Sequence, residues 1–116
     1  MSRLQICICD DEQKDCELIH SVIQSWIHNI SYQIKIYNDG KALLQDDYNK
    51  FDLIFLDIYM KDSQGIEVAK TMRENGFKKE IIFHTSSADF ALDGYKVHAF
   101  DYLVKPIQKE EIEEVL

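Results

Sequence analysis

Three aspartates in this chain stand directly behind apolar runs. Asp10 and Asp11 follow Leu4-Gln-Ile-Cys-Ile-Cys9, and Asp57 follows Phe51-Asp-Leu-Ile-Phe-Leu56. Two later runs end in groups of complementary chemistry: Thr85-Ser86-Ser87 after Glu80–His84, and Lys105-Pro106 after Phe100–Val104. On neighbouring strands these ends would share one rim. At about 4 Å and an effective dielectric of about 20, each carboxylate pair there would cost on the order of 4 kcal/mol. Raised pKa values or a bound cation must offset that cost. An oxygen-only donor set suits a hard cation such as Mg²⁺. Asp10, Asp11 and Asp57 sum to −3, Lys105 brings −2, and one divalent cation brings zero. Such a site is then ready for an added anion. A hydroxyl, an ammonium group and a cation around one carboxylate are what phosphoryl transfer to that carboxylate requires.

Singly, each residue has an ordinary explanation. Asp11 ahead of a helix reads as an N-cap, Asp57 as a solvated strand end, and Thr85 and Ser86 as caps. Lys105 emerges where a buried strand reaches the rim, solvated or paired with carboxylates. Their joint appearance at adjoining strand ends favours a site.

The elements that must position these residues follow one rhythm. Strands are expected at Leu4–Cys9, Gln33–Tyr37, Phe51–Leu56, Glu80–His84 and Phe100–Val104. Between them run helical patterns over Asp11–His28, Lys41–Asp46, Ile66–Glu74 and Ala88–Tyr95. In the first, Cys16, Ile19, Ile23, Trp26, Ile27 and Ile30 step by three or four and predict the buried stripe. Asn75-Gly76 predicts a left-handed helix stop, and Pro106 ends the fifth strand. Near-continuous apolar strands alternating with helices imply a parallel sheet covered on both faces. Right-handed crossovers favour a doubly wound, flavodoxin-like α/β fold of order 2-1-3-4-5. Ligands then bind at the carboxyl ends of strands 1 and 3, where the order reverses.

Composition limits the alternatives. A chain of 116 residues is one domain with enough length for its own core. Thirteen Lys plus Arg against 21 Asp plus Glu give −8, which argues against this chain itself gripping nucleic acid or an anionic membrane. No run is long enough to span a bilayer, and the N-terminus lacks a secretory pattern. Cys7, Cys9 and Cys16 are odd in number and crowded together, a poor disulfide framework that suits a reducing cytosol. Cys7 and Cys9 read as small core residues on one strand face. His84 reads as a buried strand histidine rather than a ligand. His20 and His28 read as surface or boundary residues.

The set Asp10-Asp11-Glu12, Phe55-Leu56-Asp57-Ile58-Tyr59-Met60 with Gly65, Thr85-Ser86, and Asp101-Tyr-Leu-Val-Lys-Pro106 resembles the receiver domain of bacterial two-component response regulators. Val97–Pro106 is most similar to receivers joined to LytTR-type DNA-binding domains. The resemblance implies that Asp57 accepts a phosphoryl group from a sensor histidine kinase. It implies that Asp11 and Asp57 ligate Mg²⁺ (or Mn²⁺), with Asp10 directly or through water and the Tyr59 carbonyl completing the set. Thr85 and Lys105 would contact the phosphoryl group. Tyr102 would turn inward and alter the surface of the fourth helix, fifth strand and fifth helix, although a static core aromatic is equally open to it. Lys105 and Pro106 would share a cis peptide. A cytoplasmic setting and dimerisation on phosphorylation also follow from the resemblance. So does an activity limited to self-phosphotransfer and autodephosphorylation.

Departures from the family pattern are Lys61, where many receivers have proline, and Ser86, where alanine is usual. Tyr59 and Ser87 occupy positions that tune loss of the phosphoryl group, Tyr59 either shielding the site or pointing away. Three other functions compete. A haloacid-dehalogenase-like phosphatase needs a second carboxylate two residues after its nucleophile, where this chain has Tyr59. A flavodoxin-like carrier needs a glycine- and hydroxyl-rich phosphate loop, which Asp10-Asp11-Glu12 would oppose. A degenerate receiver would lack phosphorylation positions that are all present here. Ile112, Val115 and Leu116 begin an apolar stripe that is unfinished at the last residue. The expectation is one receiver domain over residues 1–116 with its last helix cut short, followed by an output domain.

Overall fold

A computed structural model describes residues 3–27, 30–61, 64–85, 101–104 and 110, with Thr85 and residues 101–104 described by their backbone. Five strands form one parallel sheet in the order β2-β1-β3-β4-β5, as the alternating pattern predicts. They are β1 (Leu4–Cys9), β2 (Tyr32–Tyr37), β3 (Leu53–Asp57), β4 (Glu80–Thr85) and β5 (Asp101–Val104). Described helices are α1 (Gln13–Trp26), α2 (Gly40–Gln45) and α3 (Gly65–Glu74), with a 3₁₀ turn at Tyr48–Lys50. Among the described residues no helix is long and apolar enough to cross a membrane.

The sheet divides the core by the two-residue alternation of its strands. Ile6 and Ile8 of β1, Phe55 of β3 and Ile82 of β4 pack with Cys16, Ile19, Val22 and Ile23 of α1. The opposite face carries Cys7, Cys9, Ile54, Leu56, Ile81 and Phe83, covered by Leu43 of α2 and Val68, Ala69 and Met72 of α3. Cys7 and Cys9 are therefore core residues on one face, as expected, and all three cysteines are buried free thiols. β2 is an edge strand whose alternate residues Gln33 and Lys35 face water.

Boundaries shift for identifiable reasons. The chain leaves α3 through Asn75 into Gly76 at φ 93°. Gly76 N–H then donates to Arg73 O at 3.1 Å and Phe77 N–H to Met72 O at 2.9 Å, which is the Schellman arrangement that only a left-handed residue permits. α2 is capped by Asp39, whose Oδ1 accepts from Ala42 N–H at 2.7 Å. α1 starts later than Asp11 and stops earlier than His28. Its predicted stripe also overreaches: Trp26 is 48% exposed and Ile30 60%. Fourteen residues at about 1.5 Å each give roughly 21 Å, about the length of β1, so the last turn stands at the rim with one side in water. Val22, which the predicted stripe leaves out, is buried with Cys16, Ile19 and Ile23. The predicted helix over 88–95, the Pro106 stop and the final helix lie outside the described residues.

Candidate functional site

Register builds the site. Ile8 pairs with Phe55, and Phe55 pairs with Ile82, making an apolar row across three strands on the α1 face. Two residues further along each strand, on the same face, stand Asp10, Asp57 and His84. Asp57 and His84 are themselves register partners. The backbone continues this alignment past the strand end, with Ile58 N–H donating to His84 O at 3.2 Å.

All three side chains are buried: Asp10 0%, Asp57 1% and His84 0% exposed. One ligand atom from each lies within 4.8 Å of the others, and His84 Nδ1 is 3.3 Å from Asp10 Oδ2. Two carboxylates so close repel by several kcal/mol even at an effective dielectric of about 20. Protonation within the cluster or a bound cation must offset that repulsion, and the carboxylate donors fit a divalent cation.

Local hydrogen bonds aim these groups. Asp10 Oδ1 accepts from Glu12 N–H at 2.8 Å, and Asp57 Oδ1 accepts from Tyr59 N–H at 3.3 Å. Asp11 is no N-cap. The cap position is Glu12, which makes no side-chain cap, while Asp11 Oδ2 reaches the loop after Asp57 and accepts from Lys61 N–H at 2.8 Å. Among the described residues, the close-set donor group is Asp10, Asp57 and His84, with Asp11 outside it. Tyr59 is 44% exposed, and its backbone N–H is turned to Asp57 Oδ1. The loop after Asp57 returns to α3 through Gly65 N–H donating to Ile58 O at 2.8 Å and a bridge between Tyr59 and Gln64.

Thr85 ends β4 next to His84, its backbone in register with Val104, and Tyr102 is the register partner of Phe83. Ser86, Ser87, Lys105 and Pro106 lie outside the described residues. His84 is a buried strand histidine, as the sequence reading has it; what that reading missed is its place beside the two carboxylates. Its phase was the missed signal: it follows Ile82 by two, as Asp57 follows Phe55 and Asp10 follows Ile8.

Residues 6–116 match the response regulator receiver domain. The chain belongs to that family. Sensory transduction protein LytR of Staphylococcus epidermidis is 41% identical to this receiver domain over 69 residues, covering 60% of this chain and 27% of that protein. The chain thus spans about a quarter of that relative's length. Among solved structures, the response regulatory domain of MrkE from Klebsiella pneumoniae superposes with a TM-score of 0.85 at 27% identity, covering 97% of this chain and 91% of that one. The response regulator TrrA of Thermotoga maritima, solved in complex with Mg²⁺-BeF, is similar with a TM-score of 0.77 at 28% identity, covering 97% and 99%. The fold is the flavodoxin-like receiver fold, and its place is in two-component signalling.

Proposed function

We propose that this receiver domain is a phosphorylation-driven switch with Asp57 as phosphoacceptor and Asp10, Asp11 and the Tyr59 carbonyl as further cation ligands. The observation that carries this reading is the buried Asp10–Asp57 pair at the point where strand order reverses. Mg²⁺, or Mn²⁺ in its place, supplies the positive charge that offsets the carboxylates and the oxygens of the incoming phosphoryl group. The Tyr59 N–H holds Asp57 Oδ1, which leaves the other carboxylate oxygen to attack phosphorus in line. A new O–P bond forms on Asp57 as the P–N bond of the kinase phosphohistidine breaks, and the imidazole leaves with the electron pair. The Lys61 N–H fixes Asp11 beside the same loop. Thr85 and Lys105 then contact the phosphoryl oxygens, Ser86, Ser87 and Tyr59 tune their loss to water, and Pro106 follows Lys105 through a cis peptide.

Drawing Thr85 inward lets Tyr102 move and remodels the surface of the fourth helix, fifth strand and fifth helix. The domain would act in the cytoplasm, and its partners are a sensor histidine kinase, an attached output domain and a second copy of the phosphorylated domain. Similarity to LytR supports a LytTR-type DNA-binding output. Residues 1–116 would belong to one receiver domain, acting only on itself. Incubation with Mg²⁺ and acetyl phosphate, followed by intact-mass measurement, should add one phosphoryl group. Asp57→Asn should abolish it. An adduct retained in Asp57→Asn, or none with any phosphodonor, overturns the proposal.

A further inference from the structure

His84 changes the donor chemistry of the crevice. Carboxylates alone favour Mg²⁺, but an imidazole nitrogen brings preference for borderline ions such as Zn²⁺ and Co²⁺. The imidazole is fully buried, and so are Asp10 and Asp57 beside it. The separations fit a shared ion. Two ligands bound at about 2.0–2.1 Å at the tetrahedral angle stand roughly 3.3–3.4 Å apart, and His84 Nδ1 lies 3.3 Å from Asp10 Oδ2. Asp57 offers its oxygen within 4.8 Å of both. Asp11 is turned towards the Lys61 N–H, outside this trio, which spans the ends of the neighbouring strands β1, β3 and β4.

We infer that Asp10, Asp57 and His84 form a mixed nitrogen–oxygen site for a transition-metal dication, distinct in donor set from the Mg²⁺ arrangement. It shares Asp10 and Asp57 with the Mg²⁺ arrangement, so Zn²⁺ or Co²⁺ held there excludes Mg²⁺ and inhibits phosphorylation rather than supporting it. Only this inhibitory consequence rests on the phosphoacceptor reading; the metal site itself does not.

The test is titration of the chain with CoCl₂ and MgCl₂ by calorimetry, with visible absorption recorded for Co²⁺. His84→Val and His84→Gln should lower the ratio of Co²⁺ to Mg²⁺ affinity by about tenfold or more. The ZnCl₂ concentration that half-inhibits labelling by acetyl phosphate should rise by a similar factor. An unchanged affinity ratio in both variants overturns the inference, as does a thiolate charge-transfer band placing Co²⁺ on the cysteines. X-ray absorption of the Zn²⁺-loaded wild-type chain reads the ligands without any substitution, and a first shell lacking imidazole also overturns it. His84-dependent Co²⁺ binding in a chain that no phosphodonor labels would support this site and sink the phosphoacceptor role. Efficient labelling with His84-independent Co²⁺ binding would do the reverse.

Discussion

Gly65 offers a sharp test of how the crevice is held. A Cβ added there would sit 2.1 Å from the Asp57 carbonyl oxygen, 2.8 Å from the Asp57 carbonyl carbon and 3.0 Å from Ile58 Cα. Real Cβ contacts essentially never fall below 3.0 Å, so at least 0.9 Å must open against the oxygen alone. The obstacle is backbone, and it cannot swing aside as a side chain would. The segment is also pinned by the Gly65–Ile58 and Ile58–His84 hydrogen bonds. Gly65→Ala therefore moves either α3 or the peptide that carries the Asp57 carboxylate. Overpacking of this kind costs about 1–3 kcal/mol, and misplacing a reacting group by about 1 Å can cost on the order of 100-fold in rate. Urea denaturation should show a lower midpoint, and labelling by acetyl phosphate with Mg²⁺ should slow by roughly that factor. The sign is decisive. Without the clash, Ala in a helix would be stabilising by up to about 1 kcal/mol, so a more stable Gly65→Ala that is labelled at the wild-type rate refutes the reasoning.

Saturating Mg²⁺ should stabilise the domain by about 2.7 kcal/mol at a hundredfold excess over Kd, raising the thermal midpoint by on the order of 10 °C; EDTA should reverse this, and an equal rise in Asp57→Asn would contradict the assigned ligands. The Tyr37 hydroxyl donates to Asp46 Oδ2, and that bond, with Lys35 and the Asp47 N–H, holds the Asp46 carboxyl well below the usual range. Its stabilising effect is present above the unfolded value of about 3.9 and is lost as pH falls towards the folded one. Burial, then the same bond, pushes the Tyr37 phenol up, an effect present below about pH 10 and lost as pH rises further. Tyr37→Phe should accordingly flatten both limbs of stability measured by urea against pH; unaltered limbs would remove the bond from the account. Burial also pushes the Cys7 thiol up. All three cysteines are buried, so they should react with a thiol reagent only as fast as the chain opens, and rapid labelling in native buffer would disprove their packing.

The strands were legible because apolar runs of β-branched and aromatic residues leave few other readings. Leu4–Cys9 is reproduced to the residue, and Asp57 ends β3, as its reading as a strand end has it. Asp10 and Asp57 meet because strand order and register follow from pattern alone. Asp11 was harder to read. An aspartate before a helix usually caps it, yet here the Lys61 amide, fifty residues away in sequence, takes its carboxylate, and spacing carries no trace of that contact. Trp26 misled because helical periodicity says which face turns inward but not where the sheet beneath it ends. His84 was set aside for want of soft ligands nearby in sequence, whereas its neighbours come from two other strands.

The row Ile8–Phe55–Ile82 and the row Asp10–Asp57–His84 are spelled in the same two-residue reading frame. A one-residue insertion or deletion inside β1, β3 or β4 would transpose hydrophobes and ligands together, turning that strand's rim group towards α2 and α3. No one-residue slip keeps these core rows in place while leaving Asp10, Asp57 and His84 on their face. Core packing and the facing of the crevice are thus decided by a single reading frame.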